Sequence, residues 1–161
     1  MVRKIQLNSA YGAIGNQYFR YYATEMAEAI TASGQLSIRW IADKLNKFLN
    51  SSIETEGYDY VVASDTDSVY IRLNTLVDKF LGDCVSDKDR IVKFLDNCST
   101  QIIEPFIDKQ YVELAKLMNA YENKMQMGRE VIAERGVWTA KKRYALNVWD
   151  SEGVRYDTPK L

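Results

Sequence analysis

From Thr24 to Leu49 the chain reads as one amphipathic helix. Its stripe is Ala27, Ile30, Gly34, Ile38, Ile41, Leu45 and Phe48, three or four residues apart. Glu25 and Glu28 in its first turn suit the positive end of the helix dipole. From Tyr58 to Leu73 the pattern changes to two short β-branched and aromatic runs joined by Ser64-Asp65-Thr66-Asp67-Ser68. That predicts a hairpin with a very tight turn, Thr66 at its tip and an Asp on either side. Helical spacing returns over Thr75–Leu81 and Lys88–Tyr121, and Ser86 and Asp89 bracket the start of the long helix in an N-cap-like spacing. Ile91, Phe94, Leu95, Cys98 and Ile102 form its apolar face as far as Pro105, which should kink or split it. Phe106, Leu114, Leu117 and Met118 continue inward after the proline. Two long strands follow, about Lys124–Ala133 and Val137–Trp149, with Glu134-Arg135-Gly136 as the turn and a short third strand after Gly153. The fold class is therefore α+β: an antiparallel sheet backed by helices, preceded by an antiparallel helix pair. No internal repeat, low-complexity stretch or flexible linker interrupts it.

The first segment, about Val2–Tyr21, has helical spacing but no apolar stripe. Lys4, Asn8, Tyr11, Gly12 and Gly15 fall at i, i+4, i+7, i+8 and i+11 and share one face. A core stripe would be Leu or Ile, and each Gly within a helix costs about 1 kcal/mol relative to Ala. Something bulky should lie against this face. A nucleotide would suit it, with Lys4 on phosphate, Tyr11 on a base or sugar and Gly12 allowing close approach. A helix–helix contact made close by glycine is the alternative.

Two further clusters carry chemistry. Asp65 and Asp67 are carboxylates on a rigid turn, the kind of oxygen donor that hard divalent cations take. A solvated Asx-type turn would look the same. A calcium loop does not fit, because counting from Asp65 puts Tyr70 where glycine is required and Leu76 where a bidentate Glu is required. Lys141-Lys142-Arg143-Tyr144 is the densest basic run. On a strand Lys141 and Arg143 would face one way, Lys142 and Tyr144 the other. Such a run can also be an edge strand protected by lysine. Glu130 is a further acidic candidate, either as a metal ligand or as the partner of a Lys or Arg.

Composition narrows the classes. A chain of 161 residues with 47% hydrophobic residues builds one domain or a large part of one. The net charge of −1 excludes a generally basic nucleic-acid binder, so affinity for DNA must come from local patches. The absence of histidine excludes His-based acid–base, triad and zinc chemistry. Cys84 and Cys98 read as reduced thiols in helices. No apolar run reaches membrane-spanning length and no signal peptide is visible.

Three motifs in order, Lys4-x-x-x-Asn8-Ser9-x-Tyr11-Gly12, Asp65-Thr66-Asp67-Ser68 and Lys141-Lys142-Arg143-Tyr144, resemble those of family B DNA polymerases. The longer strings look most like its T-even-like bacteriophage members. These are Asn8-Ser9-Ala10-Tyr11-Gly12-Ala13-Ile14-Gly15-Asn16, Phe19-Arg20-Tyr21-Tyr22, and the run from Trp138 to Asp150. The match runs through nearly the whole chain. It implies that residues 1–50 are the C-terminal fingers helix and the helix entering the palm. Residues 51–161 would then be palm, with the Asp-Thr-Asp hairpin and a basic strand that holds primer–template DNA. The implied reaction is nucleotidyl transfer from a deoxynucleoside triphosphate to a primer 3′-hydroxyl, assisted by two Mg²⁺ ions. Asp67 would bridge the metals and Asp65 flank them. Lys4 would meet the triphosphate, and Asn8, Tyr11 and Gly12 would line the nascent pair. Lys141, Lys142, Arg143 and Tyr144 would hold the duplex. The implied setting is the cytoplasm of an infected bacterium.

The chain departs from the family pattern in what it lacks. No D-x-x-S-L-Y-P string supplies the other metal-binding Asp, and no exonuclease motif occurs. The chain is expected to carry part of an active site and to be inactive alone. Its expected partners are the remaining polymerase segments (exonuclease, N-terminal palm with the missing Asp, thumb), with self-association of the isolated chain through uncovered core. The competing class is a folded non-catalytic module that binds DNA or the rest of a split polymerase.

Overall fold

The computed structural model of the chain describes residues 2–82 and 87–160, with the side chains of Lys4 and of residues 157–160 outside the description. Its first helix, α1, is Val2–Ile14, shorter than the spacing suggests. The Asn16 side chain ends it by accepting the Tyr18 N–H at 3.0 Å, which offers the backbone an alternative to the helical ladder. Successive tight turns then return the chain until the Ala23 N–H reaches the Ile14 carbonyl at 3.0 Å.

Helix α2, Thr24–Ile53, runs one turn past the expected end. Ser37, Ile41, Leu45, Leu49 and Ile53 are buried along it, a stripe of strict four-residue spacing. The expected stripe is therefore core only in its C-terminal half, and Ile30 is 51% exposed. Glu54, at φ +60°, stops the helix in the left-handed region, and its N–H bonds the Asn50 carbonyl. Lys79 on α3 (Asn74–Leu81) caps the same end, donating to the Ile53 carbonyl at 3.0 Å and to Glu54 at 2.8 Å.

The expected long helix after residue 88 is divided. Helix α4 is Lys88–Cys98, a π-helical segment covers Ser99–Ile103, and α5 is Glu104–Leu117 with Pro105 in its first turn. Asp87 caps α4 by accepting the Asp89 and Arg90 N–H groups, the role assigned to Ser86, which lies outside the described residues. The π segment inserts one residue per turn and shifts the buried face. Ile103 is buried and Ile102 is exposed, the reverse of what uninterrupted α spacing gives. The expected inward positions Leu117 and Met118 are also exposed. Asn119, at φ +52°, ends the helix there, short of Tyr121. Cys98 is a free, half-buried thiol whose pKa burial raises; Cys84 lies outside the described residues.

One core joins α2 to α5. Ile41 and Leu45 pack with Ile103, Ile107, Tyr111 and Leu114, and Val61, Val69 and Ile71 lie against them. Phe48 and Phe106 stack across the same seam at 4.2 Å, and the Trp40 Nε1–H donates to the Gln110 carbonyl at 3.2 Å. Leu49, Ile53 and Tyr60 form a second cluster at the end of α2.

Among the described residues the strands form two antiparallel sheets rather than one. Strands β1 (Val61–Asp65) and β2 (Ser68–Ile71) pair as the expected hairpin. Strands β3 (Val131–Ala140), β4 (Arg143–Ser151) and β5 (Val154–Lys160) form the other, in that order. The β3–β4 turn is Lys141-Lys142, not Glu134-Arg135-Gly136. Gly136 lies within β3 opposite Leu146, and Arg135 is opposite Asn147. The glycine is there for space: a Cβ at 136 would stand 2.5 Å from Trp138 Cη2 and 2.8 Å from Leu146 Cδ2. Among the described residues no helix is long and apolar enough to cross a membrane.

An ion network docks the three-stranded sheet onto α4. The Arg129 guanidinium bridges Asp150 and Asp96, and Arg155 joins Asp150 at 3.1 Å and Asp89 at 3.0 Å. Burial alone would lower the Arg129 pKa, but the bonds to Asp150 and Asp96 more than reverse this. The Asp150 side chain is only 3% exposed. Arg129→Met should therefore cost about 3 kcal/mol in urea unfolding, the low end for breaking a buried pair, because Arg155 still faces Asp150. Asp96→Asn, at the network's exposed end, should cost below ~1 kcal/mol. Equal losses for the two would show that burial does not set the strength of this network.

Candidate functional site

The acidic turn is built on an edge that α2 holds in place. Asn46 accepts the Tyr60 and Val61 N–H groups at 2.9 and 3.0 Å. Asn50, one turn on, accepts the Tyr58 N–H at 3.0 Å and donates to the Tyr58 carbonyl at 2.7 Å. The strand entering the hairpin thus has its backbone groups satisfied by side-chain amides. At the far end Asp65 pairs with Ser68, and the Asp67 N–H donates to the Asp65 carbonyl at 2.6 Å. That bond closes a γ-type turn around Thr66, whose φ is +52°. Thr66 Oγ1 donates to Asp65 Oδ1 at 3.0 Å, and Ser68 Oγ to the Asp65 carbonyl at 3.0 Å. Asp65 is half-buried and oriented; Asp67 is exposed. Among the described residues the Asp67 carboxylate has no hydrogen-bond or ion-pair partner.

The α1 residues divide. Asn8, Tyr11 and Gly12 lie on α1 and face outward, with nothing within 4 Å of the place a Cβ would occupy at Gly12. Gly15 lies past the helix end, and a Cβ there would stand 3.7 Å from Ala27 Cβ, an ordinary contact, so the approach of α1 to α2 does not require glycine at this position. The backbone of Lys4 is on α1, but its side chain lies outside the described residues.

The basic run sits on the tip of the β3–β4 hairpin rather than along a strand. Lys141 and Lys142 are the turn, Lys142 at φ +61°, and Arg143 pairs with Ala140. Alternation of faces across the four residues is therefore lost, and Lys141, Lys142, Arg143 and Tyr144 are all exposed. Thr139 Oγ1 donates to the Arg143 carbonyl at 3.1 Å and braces the turn. Beside it an open depression of about 290 Å³ is lined by Val137, Thr139, Arg143, Tyr144 and Ala145.

Tyr70 and Trp138, neither of them among the candidate site residues, connect the two hairpins together with Tyr144. Tyr70 on β2 meets Trp138 on β3 at 5.2 Å and Tyr144 on β4 at 5.5 Å, both edge-to-face. Trp138 and Tyr144 are cross-strand partners with centroids 6.4 Å apart. Burial, then the adjacent Tyr144 hydroxyl, raise the Tyr70 pKa. The signal available in sequence was an aromatic at an alternating strand position in each hairpin. Glu130 precedes β3, is exposed, and accepts the Glu152 N–H through its main-chain carbonyl at 2.7 Å. Among the described residues no three acidic, His or Cys side chains gather to hold a metal, so Glu130 does not complete such a group with Asp65 and Asp67.

Comparison with known proteins gives these parts a common origin. The description of DNA polymerase family B matches residues 1–155. The chain is 44% identical, over 99% of its length, to the DNA-directed DNA polymerases of Escherichia phage RB69 and Enterobacteria phage T4. It spans 18% and 19% of those two proteins. Over 43% of its length it is 36% identical to the DNA polymerase alpha catalytic subunit of Leishmania donovani, of which it covers 5%. An acidic turn, an outward-facing glycine helix and a basic hairpin tip, held on one fold that matches the family nearly end to end, place this chain in family B of the DNA polymerases.

Proposed function

We propose that the chain supplies part of the active site of a DNA-directed DNA polymerase, a nucleotidyltransferase that extends a primer under template direction. The observation that carries this is the Asp65-Thr66-Asp67 turn, fixed to α2 at one end and open at the other, in a chain of this family. Residues 1–50 serve as fingers helix and palm entry and residues 51–161 as palm. The setting proposed is the cytoplasm of an infected bacterium, as the phage relatives suggest.

The donor set fits Mg²⁺ in part. Two neighbouring carboxylates are hard oxygen donors, and the open turn leaves room for water and phosphate oxygens in an octahedral shell. When bound, two such ions stabilise the attacking and leaving oxygens at phosphorus. Asp67 is the free ligand of the pair. Asp65, oriented by Thr66, adds negative field beside it. Lys4 offsets triphosphate charge, and Asn8, Tyr11 and Gly12 present an amide, a ring and an uncovered backbone to the base pair. Lys141, Lys142 and Arg143 offer cations to phosphate and minor-groove acceptors, with Tyr144 beside them. Positioning and electrostatics are the whole contribution of these residues; no proton-shuttling histidine takes part.

Two carboxylates do not make a complete site, so the remaining polymerase segments are the proposed partners. Leu7, Met26, Ile30 and Leu36 are exposed apolar side chains on α1 and the start of α2 that such segments, or a second copy, would cover. The isolated chain should give no primer extension with Mg²⁺ and all four deoxynucleoside triphosphates. It should also sediment as more than a monomer at tens of micromolar. Template-dependent extension by the pure chain, lost in Asp67→Ala, would overturn the claim that the site is partial.

In polymerase reassembled with the missing segments, Asp67→Ala should raise the barrier by about 2.7–4 kcal/mol or more, and Asp65→Ala by less. Single-turnover extension rates decide it, and equal losses would reject the division of roles. The outward face of α1 and the basic tip should fail differently. Lys142→Ala or Arg143→Ala should weaken duplex binding for every sequence and flatten its log–log salt slope by up to about 0.9 per lost phosphate contact. Tyr11→Ala should leave that slope intact and raise misinsertion. The opposite pattern in a salt titration run beside a misinsertion assay would show the two elements assigned the wrong way round.

A further inference from the structure

The two hairpins belong to different sheets, and no strand pairing connects them. Yet on the proposed function they must act on one primer terminus, one presenting carboxylates and the other cations. Their relative position needs a physical link, and the structure contains one in the ring cluster of Tyr70, Trp138 and Tyr144. We propose that Tyr70 and Trp138 are positioning residues that set the spacing between the acidic turn and the basic turn, so that duplex gripped by one is presented in register to the other. The inference rests on the DNA reading given above.

The levers are short. Tyr70 is three residues beyond Asp67, and Trp138 three before Lys141. At about 3.3 Å per strand residue each ring is roughly 10 Å from its turn, so a tilt at the rings reaches the turn little diminished. Edge-to-face rings also have an angular preference that aliphatic packing lacks. Both contacts of Tyr70 have it, at interplanar angles of 69° to Trp138 and 61° to Tyr144.

Trp138 is itself seated. Its ring folds back over Gly136, two residues earlier on the same strand face, close enough that a Cβ there would collide with Cζ3 at 2.7 Å. An alanine at 136 would have to push the indole outward. The ring is 37% exposed, which leaves it somewhere to go. Gly136→Ala thus moves Trp138 without removing it, at the cost of also displacing the Leu146 Cδ2, which would stand 2.8 Å from the new Cβ. Core filling alone does not account for the cluster, since Trp138 and Tyr144 are both exposed.

A tethered-iron footprint reads the spacing directly and needs no catalysis. Ser64, exposed on β1 beside the acidic turn, is replaced by Cys in a chain carrying Cys84→Ser and Cys98→Ser, and an iron chelate is attached. The chain, reassembled with the missing polymerase segments, is bound to an end-labelled primer–template duplex, and hydroxyl radicals released at the chelate cut the primer strand. The parent and Tyr70→Phe, which keeps the ring, should cut in one narrow zone at the primer 3′ end. Tyr70→Leu, Trp138→Leu and Gly136→Ala should cut severalfold less at that zone and spread the cuts along the strand. Duplex affinity should stay within about twofold in all of them, because phosphate contacts at the basic turn carry it. Circular dichroism shows which variants keep the fold, and Gly136→Ala, the mildest change, decides if the leucine variants do not. An unchanged narrow zone in folded Gly136→Ala or Trp138→Leu overturns the proposal. Loss of affinity in step with loss of cutting overturns it too, since the rings would then be part of the grip. Failure of the parent to bind duplex would instead sink the DNA reading, and this inference with it.

Discussion

Everything about the acidic turn depends on how an unpaired strand edge is made acceptable at the end of α2. A two-stranded hairpin is barely stable by itself in water. Here its entry strand lies against a helix, which cannot continue a β ladder, so the backbone N–H groups of Tyr58, Tyr60 and Val61 would be left unmatched as they are buried. Asn46 and Asn50 meet that need with side-chain oxygens, two of these bonds on Asn46 alone. An amide can donate as well as accept, so Asn50 also takes the Tyr58 carbonyl, and Asn46 reaches Asp59 at 2.8 Å. Neither Ala nor Asp at these positions could do both. The hydrophobic seam beneath, Val61, Val69 and Ile71 against Ile41 and Leu45, then fixes the hairpin's other face. A turn anchored this firmly at its base can leave Asp67 exposed and unpartnered at its tip without fraying.

Charge is arranged by the same economy. The chain carries nearly equal numbers of acidic and basic residues, 22 and 21. The buried Asp150 and the largely buried Arg129 are consumed in structure, tied to each other and to the more exposed Asp96, Arg155 and Asp89. What remains free on the hairpin tips is of one sign on each: carboxylate on the β1–β2 turn, ammonium and guanidinium on the β3–β4 turn. A site that must attract both metal ions and a polyanion needs such separation, because opposite charges left close together would pair and cancel.

The sequence made the acidic hairpin, the split at Pro105 and the order of elements legible, because each rests on a local rule. Alternation sets strands, helical period sets the stripe of α2, and a missing N–H breaks a helix. The errors came where a tertiary need used a residue against its local preference. Gly136 signals a turn, but the chain spends it inside β3 to make room for Trp138. Lys141-Lys142 carries no turn signature, yet forms the turn with Lys142 in the left-handed region. The π segment adds one residue to a turn, and nothing in composition separates Ile102 from Ile103. For the candidate site, residue type and spacing placed Asp65 and Asp67 on a tight turn and Asn8, Tyr11 and Gly12 on one exposed face of α1. The link between the hairpins was marked only by an aromatic in each, since Tyr70 and Trp138 are 68 positions apart and meet only in three dimensions.

The misplaced turn bears on function as well as on register. A basic run along a strand would offer its side chains alternately to two faces, and half would be lost to any one ligand. On a hairpin tip the same residues fan outward together from a two-residue turn. On the proposed function, that placement puts the cations beyond the rim of the sheet, where backbone phosphates could be met without burying the strands. The bulges in β3–β4 between Ile132 and Ala140 add twist to the ribbon that carries the tip. The ring contacts of Tyr70 with Trp138 and Tyr144 then tie that ribbon to β2 close to its tip. On the proposed function, this tie is what would hold the basic turn in a set relation to Asp65 and Asp67.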